Sequence, residues 1–205
     1  MQLARLQPAP VEPVAAPVLQ GERYHGQPVY FSDVIVHRDS PYHRFVDLRG
    51  ASWAYNDPDS HSGYNITRFT LMQMGATQGF FGRVVETGYH QRSIRLVADR
   101  QIDASAIDSQ VLAVELRDHP ELAAQLRVID SLGPSTIQPV VVSSRLPARL
   151  KAGIREAMLA LHTDPAVREH LGHGFVERFV DINDAAYDDI RAMEAAADKV
   201  DFPHL

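Results

Sequence analysis

Apolar positions along the chain recur with two different periods, and the period predicts the element. Val29–Val36 (VYFSDVIV), rich in β-branched and aromatic residues between Pro28 and Asp39-Ser40-Pro41, reads as a strand. Ser52–Tyr55 is a short second strand ending at Asn56-Asp57-Pro58. From Gly63 to Met74 the period changes: Ile66, Phe69 and Met72 stand three apart, which predicts a helix. Phe80–Glu86, closed by Gly88, predicts a second helix. Ser93–Asp99 predicts a third, with Ser93 as its N-cap. Ile102–Ile107 then reads as a strand and Ser109–Leu116 as a helix. Arg127–Ile129 and Pro139–Ser143 are further strands, the latter a valine run of the kind buried on both faces. The tail is helical, with Leu150, Ile154, Ala157 and Leu161 on one face and Tyr187, Ile190 and Met193 on another. At the other end, four prolines between Pro8 and Pro17 predict an extended, weakly structured leader. The alternation of periods predicts an α/β fold on a mostly parallel sheet.

Composition narrows the partners rather than the fold. The 205 residues are 45% apolar and 22% charged, ordinary globular usage. A formal charge of −6, with no long basic run, argues against nucleic acid or an anionic membrane as partner. The absence of cysteine excludes disulfides, thiolate nucleophiles and cysteine-ligated metal. No apolar stretch approaches the ~18 residues of a membrane span. The first twenty residues, broken by prolines and Glu12, lack the apolar run of a secretory signal.

Three polar segments lie where a strand hands over to a helix. In Asn56–Gly63 (NDPDSHSG), Ser60, Ser62 and Gly63 fall at a helix N-terminus, where free N–H groups and the positive dipole end favour an anion. Serine and aspartate there are also ordinary N-caps. In Gly88–Ser93 (GYHQRS), His90 is placed to donate to an anionic oxygen. In Ile102–Ser109 (IDASAIDS), Asp108 and Ser109 stand at the carboxyl end of a strand, where ligands gather in open α/β sheets, and where an aspartate also caps the next helix. The order Ser60, His90, Asp108 invites a hydrolase reading, but no G-x-S-x-G elbow accompanies it, so a Ser/His/Asp hydrolase stands only as the alternative. His170-Leu-Gly-His173 has helical spacing but ends in glycines, and His37, His43, Asp57 and Asp59 lack zinc-type spacing. No metal and no cofactor is expected.

Together these segments resemble the phosphate/phosphite/phosphonate-binding proteins of ABC importers. The resemblance rests on Tyr30–Val36 (YFSDVIV), Ser60–Gly63 (SHSG), Gly88-Tyr-His90 with Ser93, Asp103–Ser109 (DASAIDS), and Gly133-Pro134 with the Pro139–Val142 strand. It runs from about Ala15 to about Met193. It implies a periplasmic-binding-protein-like, type II Venus-flytrap fold, with the ligand in a cleft between two α/β lobes. It implies Ser60, Ser62 and Gly63 as the turn around the oxyanion, His90 as a donor, Asp108 on the cleft wall and Tyr30 as a cleft tyrosine. Tyr89 stands where the family commonly has serine. The implied function is that of a non-enzymatic, periplasmic solute-binding component, with a membrane permease as partner.

The resemblance also implies a domain layout. Residues 1–26 read as a leader and remnant of lobe one, 27–138 as a complete lobe two, and 139–205 as the return crossing strand and C-terminal helices of lobe one. A signal peptide and the first half of lobe one precede the strand at Val29 in that family. Either the start lies further upstream, giving a longer exported protein, or the chain is a single-lobe paralogue. The second origin implies uncovered helix faces, a possible homodimer, and a non-exported sensor or interaction module as a further alternative. The retained motifs favour the first.

Overall fold

Pro13 and Pro17 do not leave the N-terminal segment loose; they sit in a strand. The computed structural model describes residues 10–200 and Leu205, so Pro8 lies outside the described residues. Its strands are β1 (Val11–Leu19), β2 (Val29–His37), β3 (Ser52–Tyr55), β4 (Arg83–Glu86), β5 (Ala104–Asp108), β6 (Leu126–Thr136), β7 (Val140–Ser143) and β8 (Val176–Val180). Its helices are α1 (Ile66–Gln73), α2 (His90–Ala98), α3 (Ser109–Asp118), α4 (Pro120–Gln125), α5 (Ala148–Ala160), α6 (Pro165–His173) and α7 (Asp188–Lys199). Two compact units emerge, one of residues up to Tyr30 with Ser135–Asp189, the other of Phe31–Pro134 with Ile190–Leu205.

In the first unit β1 lies between β7 and β8 in an antiparallel sheet. It pairs with β7 through Val11–Ala15 and with β8 through Ala16–Leu19. Each half of β1 therefore pairs on one side only, which lets a central strand carry prolines that lack an N–H. This overturns the expected weak leader: Val14, Ala15, Ala16, Val18 and Leu19 are all buried. β7 corrects a second expectation. Its valines alternate between half-buried and exposed, with Val141 45% exposed, because β7 is an edge strand and not an interior one. β8 has too short and mixed a sequence (VERFV) to predict, and is recruited by its partner β1. α6 opens as expected of a helix start, with Asp164 accepting from Ala166 N–H at 2.9 Å and Pro165 in the first turn. Neither α5 nor α6 contains a fully buried residue.

The second unit holds the five-stranded sheet β4-β3-β5-β2-β6. β3 is parallel to β4 and β5, while β2 is antiparallel to β5, so the sheet is mixed rather than mostly parallel. β2 begins and β6 ends close to where the chain passes from one unit to the other. Successive side chains face opposite sides of the sheet. Val34, Val36, Trp53, Ala104 and Ala106 join Ile66 and Leu71 of α1 on one side. Ile35, Ala54 and Ile107 join Ile94 and Val97 of α2, Leu112 of α3 and Leu122 of α4 on the other. Both faces are buried, so Ser32–Val36 of β2 and all of β5 are buried whichever side their side chains face.

The helix expected at Phe80–Glu86 is instead a turn followed by β4. Gly50 N–H donates to Phe80 O and Gly82 N–H to Ala51 O, pinning the segment to the loop before β3. A Cβ on Gly82 would stand 2.4 Å from Gly50 O, so the close approach requires glycine. Phe81 stacks on Trp53 at 4.6 Å and Phe80 on Phe45 at 5.7 Å. Ring packing and parallel pairing of Val84 and Val85 with β3 outweigh the local helical spacing.

Candidate functional site

Because β3, β4 and β5 are parallel, their carboxyl ends share one edge of the second unit's sheet, and each hands over there to a helical segment. This is the edge at which ligands gather in open α/β folds. The antiparallel β2 enters at the same edge, with Ser32 opposite Asp108 and Phe31 N–H donating to Ser109 Oγ at 3.2 Å.

After β3 comes a π-helical turn, His61–Asn65, leading into α1. Asn65 N–H donates to Ser60 O and Ile66 N–H to His61 O, each across five residues, which widens the turn as π-bulges do near functional sites. Ser60 caps it, its Oγ accepting from Gly63 N–H at 3.2 Å and lying 3.5 Å from Ser62 Oγ. Ser62, Gly63, Tyr64 and Asn65 are buried. Gly63 is required by space, since an ideal Cβ would stand 1.8 Å from Asn56 Oδ1. Asn56 also joins the first loop to the second, its carbonyl accepting from Gly88 N–H at 2.8 Å. Sequence reasoning does not single Asn56 out; its one signal is a place at a strand end, before Asp57-Pro58.

The second loop, after β4, differs from expectation at Ser93. The helix starts at His90 with Tyr89 as N-cap, and Ser93 lies buried in its first turn. Ser93 Oγ is 2.7 Å from Thr87 Oγ1, which also reaches Tyr55 O and Tyr89 O at 3.0 and 3.3 Å. This knot holds the Tyr89-His90 backbone in place, while the Tyr89 side chain is exposed. His90 is buried, with Nε2 2.9 Å from Ser62 Oγ and, among the described residues, no hydrogen bond at Nδ1. Burial lowers its pKa from 6.5 to about 4, so the ring is neutral at pH 7, with one N–H donor and one acceptor nitrogen.

At the third handover Asp108 caps α3, its Oδ1 accepting from Gln110 N–H at 2.8 Å and Val111 N–H at 3.3 Å. The structure thus brings Ser60, Ser62, Gly63 and His90 together and puts Asp108 on the same sheet edge. Tyr30, fully buried, is the last residue of the first unit at the start of β2. The hydrolase geometry does not assemble. The serine on His90 is Ser62 rather than Ser60, and among the described residues no carboxylate holds Nδ1 as a triad aspartate does. Among the described residues no cluster of three or more metal-ligating side chains occurs, and His170 and His173 close α6 with rings 5.9 Å apart. Two serine hydroxyls, a neutral imidazole and three helix starts on one edge form a set of preorganised donors suited to a small oxyanion.

A family model described as "ABC transporter, phosphonate, periplasmic substrate-binding protein" matches residues 2–187. The phosphonates-binding periplasmic protein of Escherichia coli K12 is 27% identical over 155 residues, covering 72% of this chain and 46% of that protein. A binding protein component of an ABC phosphonate transporter from Pseudomonas aeruginosa superposes with a TM-score of 0.80 at 21% identity, over 93% of this chain and 64% of its own. PhnD1 from Prochlorococcus marinus, solved in complex with methylphosphonate, gives 0.75 at 17% identity, over 92% and 73%. The chain thus spans about half the length of the curated relative. The fold is the mixed α/β fold of type II periplasmic binding proteins. With the family model matched over most of its length, the chain belongs to the periplasmic substrate-binding proteins of ABC phosphonate transporters.

Proposed function

We propose that the chain acts as the solute-binding component of an ABC importer and holds a small phosphorus oxyanion (a phosphonate, phosphate or phosphite) without transforming it. The observation that carries this reading is the buried Ser62–His90 pair, set beside the Ser60-capped turn at the carboxyl edge of the sheet. Ser60, Ser62 and Gly63 wrap the oxyanion, His90 donates to it, and Asp108 and Tyr30 complete the wall. The interlobe cleft expected from the sequence is part of this proposal. So is the assignment of the second unit to lobe two and of the first unit to the return strand and helices of lobe one. A periplasmic location and a permease partner belong to the same proposal and are supported by family membership. The printed names of the relatives favour phosphonates, which makes methylphosphonate the natural probe.

A cluster of neutral donors suits the task. Donors fixed by the fold surround a dianion at close range without reorganising, and helix N-termini add positive potential. Ser62→Ala removes one hydroxyl and the partner of His90 Nε2 while leaving the turn's cap, Ser60, in place. Its expected effect is about a tenfold rise in methylphosphonate Kd, on the scale of one hydrogen bond to a charged group. The thermal midpoint should stay within a few degrees of wild type. Calorimetric titration showing unchanged affinity in Ser62→Ala would remove the hydroxyl from the site.

A further inference from the structure

We infer that Asn56 is a further ligand-binding residue of the anion site, its side-chain Nδ2 donating to the bound oxyanion. The inference deepens the reading proposed above and rests on it. Asn56 directly follows β3 and stands between the two loops that carry Ser62 and His90. Its backbone carbonyl accepts from Gly88 N–H at 2.8 Å, two residues before His90, and the Tyr55 carbonyl accepts from Thr87 N–H at 2.8 Å. Its side chain turns to the other loop. Oδ1 lies 1.8 Å and Cγ 3.0 Å from the ideal place of a Cβ on Gly63, so the amide rests against the Gly63 Cα. One half-buried residue thus touches both loops.

The chemistry of this amide is not that of a structural spacer. Among the described residues its buried Oδ1 has no hydrogen-bond partner. A buried amide oxygen without a donor is costly, and an apolar residue would fill the same space without that penalty. The oxygen faces Gly63 for a steric reason. The reverse orientation would press the amide hydrogens on those of the Gly63 Cα, whereas a Cα–H group tolerates an oxygen. That orientation puts Nδ2, with its two N–H donors, on the side of the amide away from Gly63. Among the described residues Nδ2 donates no hydrogen bond either. A donor-only group held between the loops, on the edge where Ser60, Ser62 and His90 gather, calls for an acceptor. An ionised phosphorus-bound oxygen is that acceptor, and a neutral amide meets it without altering the charge of the site.

Asn56→Asp separates a ligand contact from a packing role. It keeps an oxygen against Gly63 and the carbonyl on Gly88, but puts a carboxylate oxygen where the donor stood. That oxygen repels the dianion, so the methylphosphonate Kd measured by calorimetry should rise at least about a hundredfold. A Kd within about threefold of wild type overturns the inference. NMR of the wild-type chain reads the contact without any variant. On saturation with methylphosphonate the two Nδ2 protons of Asn56 should shift downfield, exchange with water about tenfold more slowly and show an NOE to the ligand methyl group. The side-chain amide of Asn183, whose Oδ1 accepts from Ala186 N–H in the first unit, should not respond. Asn56 protons that neither shift nor slow at saturation overturn the inference, even where Asn56→Asp fails to fold. If wild type binds methylphosphonate and Ser62→Ala weakens it while Asn56 stays silent, this inference falls and the proposed function stands. If wild type binds neither methylphosphonate, phosphate nor phosphite, both fall.

Discussion

Gly63→Ala is expected to raise methylphosphonate Kd by at least about a hundredfold, equivalent to about 3 kcal/mol, and to lower unfolding stability by about 1–3 kcal/mol. Gly63 does not have the positive φ that would demand glycine for backbone reasons, so the effect is one of space. A methyl group there would overlap Asn56 Oδ1 at 1.8 Å and press on its Cγ at 3.0 Å and backbone nitrogen at 3.4 Å. Turning the amide aside relieves the first contact but not the last. Asn56 cannot retreat freely, because its carbonyl accepts the Gly88 N–H that fixes the loop before His90. One methyl group thus disturbs both loops of the site. Gly153→Ala is the control: among the described residues nothing lies within 4 Å of the added carbon, in the middle of α5. It should be neutral or stabilise by up to about 1 kcal/mol, as alanine does in a helix interior. Urea unfolding and calorimetric titration of both variants decide the matter. Equal behaviour of the two would show that the contact between Gly63 and Asn56 does not organise the site.

The second large effect is on pH. His90 has a pKa of about 4 in the folded chain against 6.5 when free, because burial penalises the imidazolium. Between those values the unfolded chain binds a proton that the folded chain refuses, so stability rises with pH across the window. It is fully present above about pH 6.5 and is lost as pH falls towards about 4. The slope approaches 1.4 kcal/mol per pH unit and the whole window is worth about 3 kcal/mol. His90→Gln removes the titrating group, so urea unfolding at pH 4.5 and 7 should differ by about 2–3 kcal/mol less in the variant than in wild type. The Asp47 carboxylate, held below its usual range by the His43 and Arg44 N–H groups and the Arg44 side chain, loses its contribution at lower pH and is common to both proteins. A bound dianion opposes the burial effect and favours the imidazolium. Methylphosphonate should therefore raise the His90 pKa, and binding should take up protons below about pH 6. Identical pH dependence of wild type and His90→Gln would contradict the burial of a neutral histidine in the site.

What was legible beforehand followed from local physics. β2, β3 and β5, with α1 and α3 after them, are readable because short β-branched or alternating runs give way to a 3–4 period at polar handovers. Those handovers carry Ser60, Ser62, Gly63 and Asp108, so the sheet edge was visible in outline. The failures at strands share a cause: pairing partners distant in sequence. β1 tolerates Pro13 and Pro17 only because β7 and β8 each cover half of it. β4 exists because β3 lies beside it and Gly82 can touch Gly50. Ser93 is a plausible cap until Thr87 claims its hydroxyl. Asn56 matters through a contact to Gly63 that no spacing encodes. The pairing of His90 with Ser62 rather than with an aspartate, which separates an anion site from a triad, is likewise visible only in three dimensions.

A phosphorus oxyanion held at Ser62 and His90 is the core of the proposed function. Isothermal titration of the wild-type chain with methylphosphonate at pH 7, repeated with phosphate, phosphite and acetate, tests it most directly. Saturable one-to-one binding of at least one phosphorus oxyanion is expected, with none of acetate and about tenfold weaker binding in Ser62→Ala. No saturable heat with any of the three phosphorus ligands at millimolar concentration, or equal binding by wild type and Ser62→Ala, would contradict it.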